Sequence, residues 1–158
     1  MRYVRRVLQP GETIVYATKL HWLIYLQTIL LLIACLIIAG AALLTSDNQS
    51  ITLALEIAAI IFAVLAMATG LRAFIRRATT ELAVTDHRVI YKSGLLSRHT
   101  IEMNRDKVES VDVDQSLLGR IFGYGTVIVR GTGGSLEPIR NIGDPLTFRS
   151  HITASPAS

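Results

Sequence analysis

Residues 22–44, WLIYLQTILLLIACLIIAGAALL, and residues 53–73, LALEIAAIIFAVLAMATGLRA, decide how this chain is built. Only the polar stretch Thr45 to Ser50, with Ile51 and Thr52, separates them. At 1.5 Å of rise per residue the two runs reach about 34 and 31 Å, enough for a hydrocarbon core of about 30 Å. A small soluble domain cannot cover two adjacent helices of this length. The reading is a transmembrane helical hairpin within residues 21–75, helical because a backbone in lipid must satisfy its own hydrogen bonds. A cleaved signal peptide is the alternative, since Ala39-Gly40-Ala41 has the small-x-small form of a cleavage site. Yet the apolar stretch is longer than a signal core and begins some twenty residues in.

A net charge of +4 invites a nucleic-acid reading until the charges are placed. Arg2, Arg5, Arg6 and Lys19 precede the first run, and Arg72, Arg76 and Arg77 close the second. From Ala78 onward, nine Lys or Arg balance nine Asp or Glu. The basicity belongs to the membrane flanks, and no nucleic-acid partner is expected. Lys and Arg concentrate on the cytoplasmic side of membrane spans, and the inter-span loop has none. The expected location is a bacterial inner (cytoplasmic) membrane, multi-pass, with both termini cytoplasmic. Trp22 and Tyr25 suit the interfacial aromatic belt.

Inside the spans, Glu56 sits about one turn from the outer end and can reach the headgroups; a polar contact or proton site is the sharper alternative. The single cysteine, Cys35, excludes an intramolecular disulfide and reads as packing. Small residues recur at Ala54/Ala58, Ala59/Ala63 and Ala66/Gly70, spacing that lets helices approach closely within the hairpin.

Residues 1–20 read as a cytoplasmic segment: a short interfacial helix with Val4, Val7 and Leu8 toward lipid, the Pro10-Gly11 turn, then a strand over Glu12 to Leu20. That strand needs a partner and is expected to lie against the C-terminal domain. From Thr79 the pattern is six short strands: 81–85, 88–93, 96–103, 108–114, 126–130 and 136–142. Between them lie a turn at Asp86-His87, a helical turn at 116–122 capped by Ser116 and stopped by Gly123, and a hairpin at Gly131 to Gly134. Asp144-Pro145 starts a terminal helix, and residues 151–158 read as a flexible tail.

Several of these segments resemble one family. Glu81-Leu82-Ala83-Val84-Thr85-Asp86-His87-Arg88-Val89-Ile90, Gly94-Leu95-Leu96-Ser97-Arg98, Asp106-Lys107-Val108-Glu109-Ser110-Val111 and Asn141-Ile142 through Asp144-Pro145 are similar to stretches of bacterial pleckstrin-homology-like (PH-like) membrane proteins. The most specific segment is Gln115-Ser116-Leu117-Leu118-Gly119-Arg120-Ile121-Phe122-Gly123-Tyr124-Gly125. The resemblance covers roughly residues 76–149, and the family commonly carries a Pro-Gly-Glu segment, as at Pro10-Gly11-Glu12, before two spans. It implies a membrane α-helical hairpin plus a mainly-β domain over 76–150: a PH-like barrel of about six or seven antiparallel strands with a short C-terminal helix. Because thirteen residues follow Pro145, that helix is expected to be short or frayed.

Catalytic patterns are scarce. His21, His87, His99 and His151 lack metal-ligand spacing, Gly131-Thr132-Gly133-Gly134 lacks the Lys-Ser/Thr of a phosphate loop, and Asp112 with Asp114 has no candidate nucleophile. No enzyme activity, cofactor, metal or small-molecule substrate is expected. The expected function is a membrane-anchored scaffold for protein interaction or self-assembly, its partners the bilayer and a second copy or another membrane protein. Anionic headgroup binding is the first alternative and an accessory role in transport the second. Candidate lipid or partner contacts are Arg72, Arg76, Arg77, Lys92, Arg98, Arg105 and Lys107.

Overall fold

The computed structural model describes residues 2–45, 48–95, 99–132, 134–135 and 138–154. The chain divides into two compact units: residues 22–75, and residues 1–21 together with 76–158. Two helices are long and apolar enough to cross a membrane, Trp22–Leu44 and Gln49–Thr79. The first begins as a 3-10 turn, Trp22–Tyr25, and continues as α2, Leu26–Leu44; the second is α3, Gln49–Thr79. (The helix before α2, Arg2–Val7, is α1.)

Within the hairpin unit, half-buried or buried positions of α3 recur every seven residues, at Thr52, Ala59, Ala66 and Ala73, flanked by Leu55, Phe62 and Thr69. A seven-residue seam is what two helices packed along their length require. Cys35 donates its thiol to the Ala59 carbonyl at 3.3 Å, and Thr28 meets Thr69 at 3.2 Å. A Cβ at Gly70 would stand 3.1 Å from the Thr28 methyl. Of the small-residue pairs, Ala59, Ala66 and Gly70 serve this packing, whereas Ala54 and Ala63 are exposed.

The other unit holds two antiparallel sheets. The first has the order β1 (Ile14–Thr18), β2 (Glu81–Thr85), β3 (Arg88–Ser93), β4 (His99–Asn104). In the second, β6 (Tyr124–Gly131) pairs along one edge with β5 (Val108–Asp114). Its other edge is shared by β7 (Gly134–Ser135) and β8 (Ile139–Gly143). Helix α4, Leu117–Phe122, joins β5 to β6, and α5, Pro145–Thr153, follows β8. The expected strand over residues 12–20 is therefore β1, paired with β2.

Three expectations change. Among the described residues the sheets do not close into a barrel: one isolated bridge, Leu20 to Ile142, links β1's end to β8. The terminal helix is not frayed at residue 151, because Phe148 and Ile152 are buried in the main core with Leu82, Val84, Val127 and Ile142. Helix α1 forms, but its apolar side does not face lipid. Val4 is buried on Ala83 and Ile90, on the outer face of the first sheet. This explains why all five residues of β2 are buried: alternate side chains enter the main core and the α1 contact. Residues 1–20 are accordingly part of the β unit rather than a separate segment.

A buried ion network holds that N-terminal segment in place. The Glu12 side chain, 2 % exposed, receives the Arg88 Nε and Nη2 at 2.9 and 2.8 Å and the Thr85 hydroxyl at 2.7 Å. Arg88 also donates to the Val7 carbonyl at 2.8 Å and to Glu102 at 2.5 Å. The Glu81 carboxylate accepts from the Tyr3 and Val4 amides, both at 3.1 Å, near the start of α1. The Arg88 hydrogen bond outweighs desolvation and lowers the Glu12 carboxyl from 4.5 to about 2. A depressed folded-state value stabilises fully above the unfolded value and loses that contribution as pH falls through the folded one. Acidification from about pH 5 to about pH 2 is therefore expected to release β1, read as faster amide exchange over Ile14–Thr18. Glu12→Gln should abolish that acid step; an unchanged step in the variant would assign it to other carboxyls.

Candidate functional site

Within the β unit, the sequence-derived basic residues Lys92 and Arg105 stand at opposite ends of a strand pair. Lys92 lies at the end of β3, paired in register with Glu81 and Thr100, its ammonium 5.5 Å from the Tyr3 ring centroid. Arg105 follows β4 at the opposite end, just beyond Asn104, whose pairing with Arg88 lies four register steps from Lys92, or roughly 14 Å. Its guanidinium serves the end of α5, donating to the carbonyls of Ile152, at 3.3 Å, and Ala154. Cationic donors belong at helix C-termini, where carbonyls are unpaired. Lys107 is exposed in the same 3-10 turn as Arg105. Arg72 and Arg76 are exposed and Arg77 is partly buried on the last turns of α3. Arg98 lies outside the described residues. Lys92 and Arg105 thus cannot grip one headgroup together.

Other candidates are also placed. Asp112 pairs with Arg130 at 3.2 Å on the surface, a contact of small energetic weight. His87 lies 2.9 Å from Asp86, whose carboxylate raises its pKa. Asp86 in turn accepts from the Thr13 amide at 3.1 Å, so the pair closes the β2–β3 turn over the start of β1. Among the described residues no three His, Cys, Asp or Glu side chains gather as a metal site. In the hairpin unit Glu56 lines an open depression with Ala42, Leu43, Gln49, Thr52 and Leu53.

The segment with the most specific sequence pattern is built around α4. Ser116 caps it, its Oγ accepting from the Gly119 amide at 3.0 Å, and Gly123 ends it with a φ of 70°. Gln115 donates to the Tyr124 carbonyl at 3.1 Å. A Cβ on Gly119 would stand 2.7 Å from that same oxygen, and one on Gly125 would stand 2.9 Å from the Asp114 carbonyl. Gln115, Ser116, Gly119, Gly123 and Gly125 thus fix the backbone of a single tight turn. What this turn displays is apolar: Leu117 is 80 % exposed and Ile121 74 %, with Leu118 and Phe122 exposed beside them. Gly119→Ala is expected to destabilise the β unit by about 1–3 kcal/mol, because the obstacle is backbone rather than a movable side chain. A denaturant midpoint equal to that of the wild type would contradict this.

This turn shares one end of the unit with both junctions to the apolar helices. Arg76 accepts the Thr80 amide and hydroxyl through its carbonyl, at 3.1 and 2.7 Å, and β2 starts at the next residue. Leu82 pairs with Thr18 at the end of β1. Beyond it the His21 amide donates to Asn141 at 2.6 Å, and the His21 ring stacks on Tyr124 at 5.6 Å. Burial, with Arg77 nearby, lowers the His21 pKa and favours the neutral ring.

Residues 17–155, from β1 through both apolar helices to the end of α5, match the family model described as "Bacterial PH domain". The chain belongs to the bacterial PH domain family. No curated protein and no solved structure matches it. In this family member Glu12, of the Pro-Gly-Glu segment, and the Thr85–Arg88 turn meet in the buried network. Sequence reading missed that network because Glu12 and Arg88 are 76 residues apart. The available signal was an acid just after Pro10-Gly11 and an arginine three residues after Thr85.

Proposed function

We propose that this bacterial PH domain protein is a membrane-anchored, non-catalytic module that binds a protein partner or further copies of itself at the cytoplasmic face. The observation that carries the reading is the pair of open sheet edges. Among the described residues β4 has β3 as its only strand neighbour, and β5 has only β6. An unpaired edge offers a row of main-chain donors and acceptors to an added strand. The two apolar helices and the arginines at their flanks support anchorage with both termini in the cytoplasm. Family membership supports a binding module rather than an enzyme.

The test is the mass of the full chain in mild detergent, by light scattering corrected for bound detergent. Protein mass at a multiple of the 17.3 kDa chain, or a stoichiometric co-purifying protein, is the expected result. A clean monomer at every concentration would sink the proposal.

A further inference from the structure

We propose that Glu56, set in the depression at the loop end of the helical hairpin, binds the primary ammonium of an aminophospholipid headgroup. The inference rests on the reading of the two apolar helices as membrane spans. It adds a lipid site that lies wholly within the hairpin unit.

The site is built from the ends of both helices. Ala42 and Leu43 come from the last turn of α2, and Gln49, Thr52, Leu53 and Glu56 from the first turns of α3. The depression they line has a volume of about 630 Å³, within the roughly 300–1,000 Å³ of small-ligand sites. Most polar side chains around it are already engaged by backbone. The Thr45 hydroxyl donates to the Ala41 carbonyl at 2.9 Å, and the Thr52 hydroxyl donates to the carbonyls of Thr45 and Asn48. Asn48 Oδ1 accepts the Ser50 amide at 3.1 Å and so closes the amide end of α3. Glu56 differs: it is exposed, and no hydrogen bond or ion pair holds its carboxylate among the described residues.

The hairpin supplies no cation to meet that carboxylate. Between Trp22 and Leu71 there is no Lys, Arg or His, and the charges are Asp47 and Glu56 alone. Arg72 is sixteen residues further along α3, about 24 Å away. A second copy of the hairpin would bring the same acids and no base. An ionised carboxylate at the edge of hydrocarbon is costly unless paired. The carbonyl end of α2 adds negative potential to the same depression, and cations suit helix C-termini. Glu56 lies three residues past Leu53, the start of the apolar run, about 5 Å along the helix. That depth is within a side chain's reach of the headgroups. A proton relay would need further polar groups inside the membrane, and residues 57–65 are apolar throughout. The cation that a bilayer itself holds at headgroup level is a lipid ammonium. A primary ammonium has three donors to share between the Glu56 carboxylate and the Gln49 amide oxygen. Ala42, Leu43 and Leu53 suit the methylenes beside it.

The test uses the full chain, stripped of lipid in mild detergent. It is titrated with short-chain phosphatidylethanolamine, phosphatidylcholine or phosphatidylglycerol, and native mass spectrometry counts the lipid bound. Phosphatidylcholine keeps the charge without N–H donors, and phosphatidylglycerol has no ammonium and reports on the basic flanks. Wild type is expected to bind phosphatidylethanolamine about tenfold more tightly than phosphatidylcholine, the worth of a charge-assisted hydrogen bond. Glu56→Gln should erase that preference and leave phosphatidylglycerol binding unchanged. The amide is isosteric and the position exposed, so folding is preserved. Equal affinities in the wild type, or a preference that survives Glu56→Gln, overturn the site. Soluble phosphoethanolamine binding as tightly as the lipid gives the depression to a free ammonium compound and overturns the lipid assignment. A co-purifying protein lost from Glu56→Gln, with no lipid preference in the wild type, gives the carboxylate to a partner's Lys or Arg and equally overturns it. Anchorage is read separately, by carbonate washing of membranes carrying the chain. Release of the chain removes the membrane reading and the site with it, whereas a retained chain without the preference loses the site alone.

Discussion

Arg88→Ala is expected to destabilise the β unit by about 3–5 kcal/mol, the usual cost of removing one partner from a buried ion pair. A domain stable by about 5–15 kcal/mol loses much of its reserve by such a change. The reason is the company Arg88 keeps. Its loss strands the Glu12 carboxylate, which is 2 % exposed, and leaves the Val7 carbonyl without its donor. Arg88→Lys should recover only part, because an ammonium cannot present the planar fork that reaches Glu12, Glu102 and Val7 at once. Joint replacement of Glu12 and Arg88 by Leu and Met should be milder than Arg88→Ala alone, since no buried charge is orphaned. Equilibrium denaturation of the full chain, with proteolysis between Gln9 and Thr13 as a local probe, reads these effects. A wild-type midpoint for Arg88→Ala would show that the network contributes nothing.

Phe148→Ala should cost about 3–5 kcal/mol as a large-to-small change in a packed core. Phe148 is fully buried among residues of both sheets and lies 6.3 Å, ring to ring, from Tyr16 of β1. Tyr16 also stacks on His151 at 4.5 Å, one turn further along α5. Because one isolated bridge joins the sheets among the described residues, α5 is what fills the space between them. Losing its anchor should lower the melting temperature by more than about 10 °C. Leu146→Ala, on the same helix but exposed, is expected to stay within about 0.5 kcal/mol. Equal melting of the two variants would deny α5 this role.

The elements readable in advance were those with local causes. Ser116 and Gly123 bound α4, and Asp144 with Pro145 starts α5, because a cap satisfies backbone groups a few residues away. The apolar runs were legible for a similar reason: length and hydropathy are properties of a segment. Arg105 shows the limit on the site side. Its charge and loop position suggest a lipid ligand, yet it is engaged by carbonyls 47 and 49 residues later. The apolar side chains of α4 were read as part of a family pattern, and their exposure became visible only when the neighbouring glycines were found packed against backbone.

Composition, periodicity and charge placement thus settled that two apolar helices precede a small antiparallel β domain. They also settled where the chain's basicity lies. Each of those depends on residues close together in the chain, where spacing directly sets geometry. Tertiary structure alone decided that α1 covers the outer sheet face, that α5 rather than a further strand pair fills the gap between the sheets, and that Glu12 belongs to Arg88. It also decided that Lys92 and Arg105 stand apart. Those outcomes turn on contacts between distant segments, selected by which surfaces fit and which buried charges find partners.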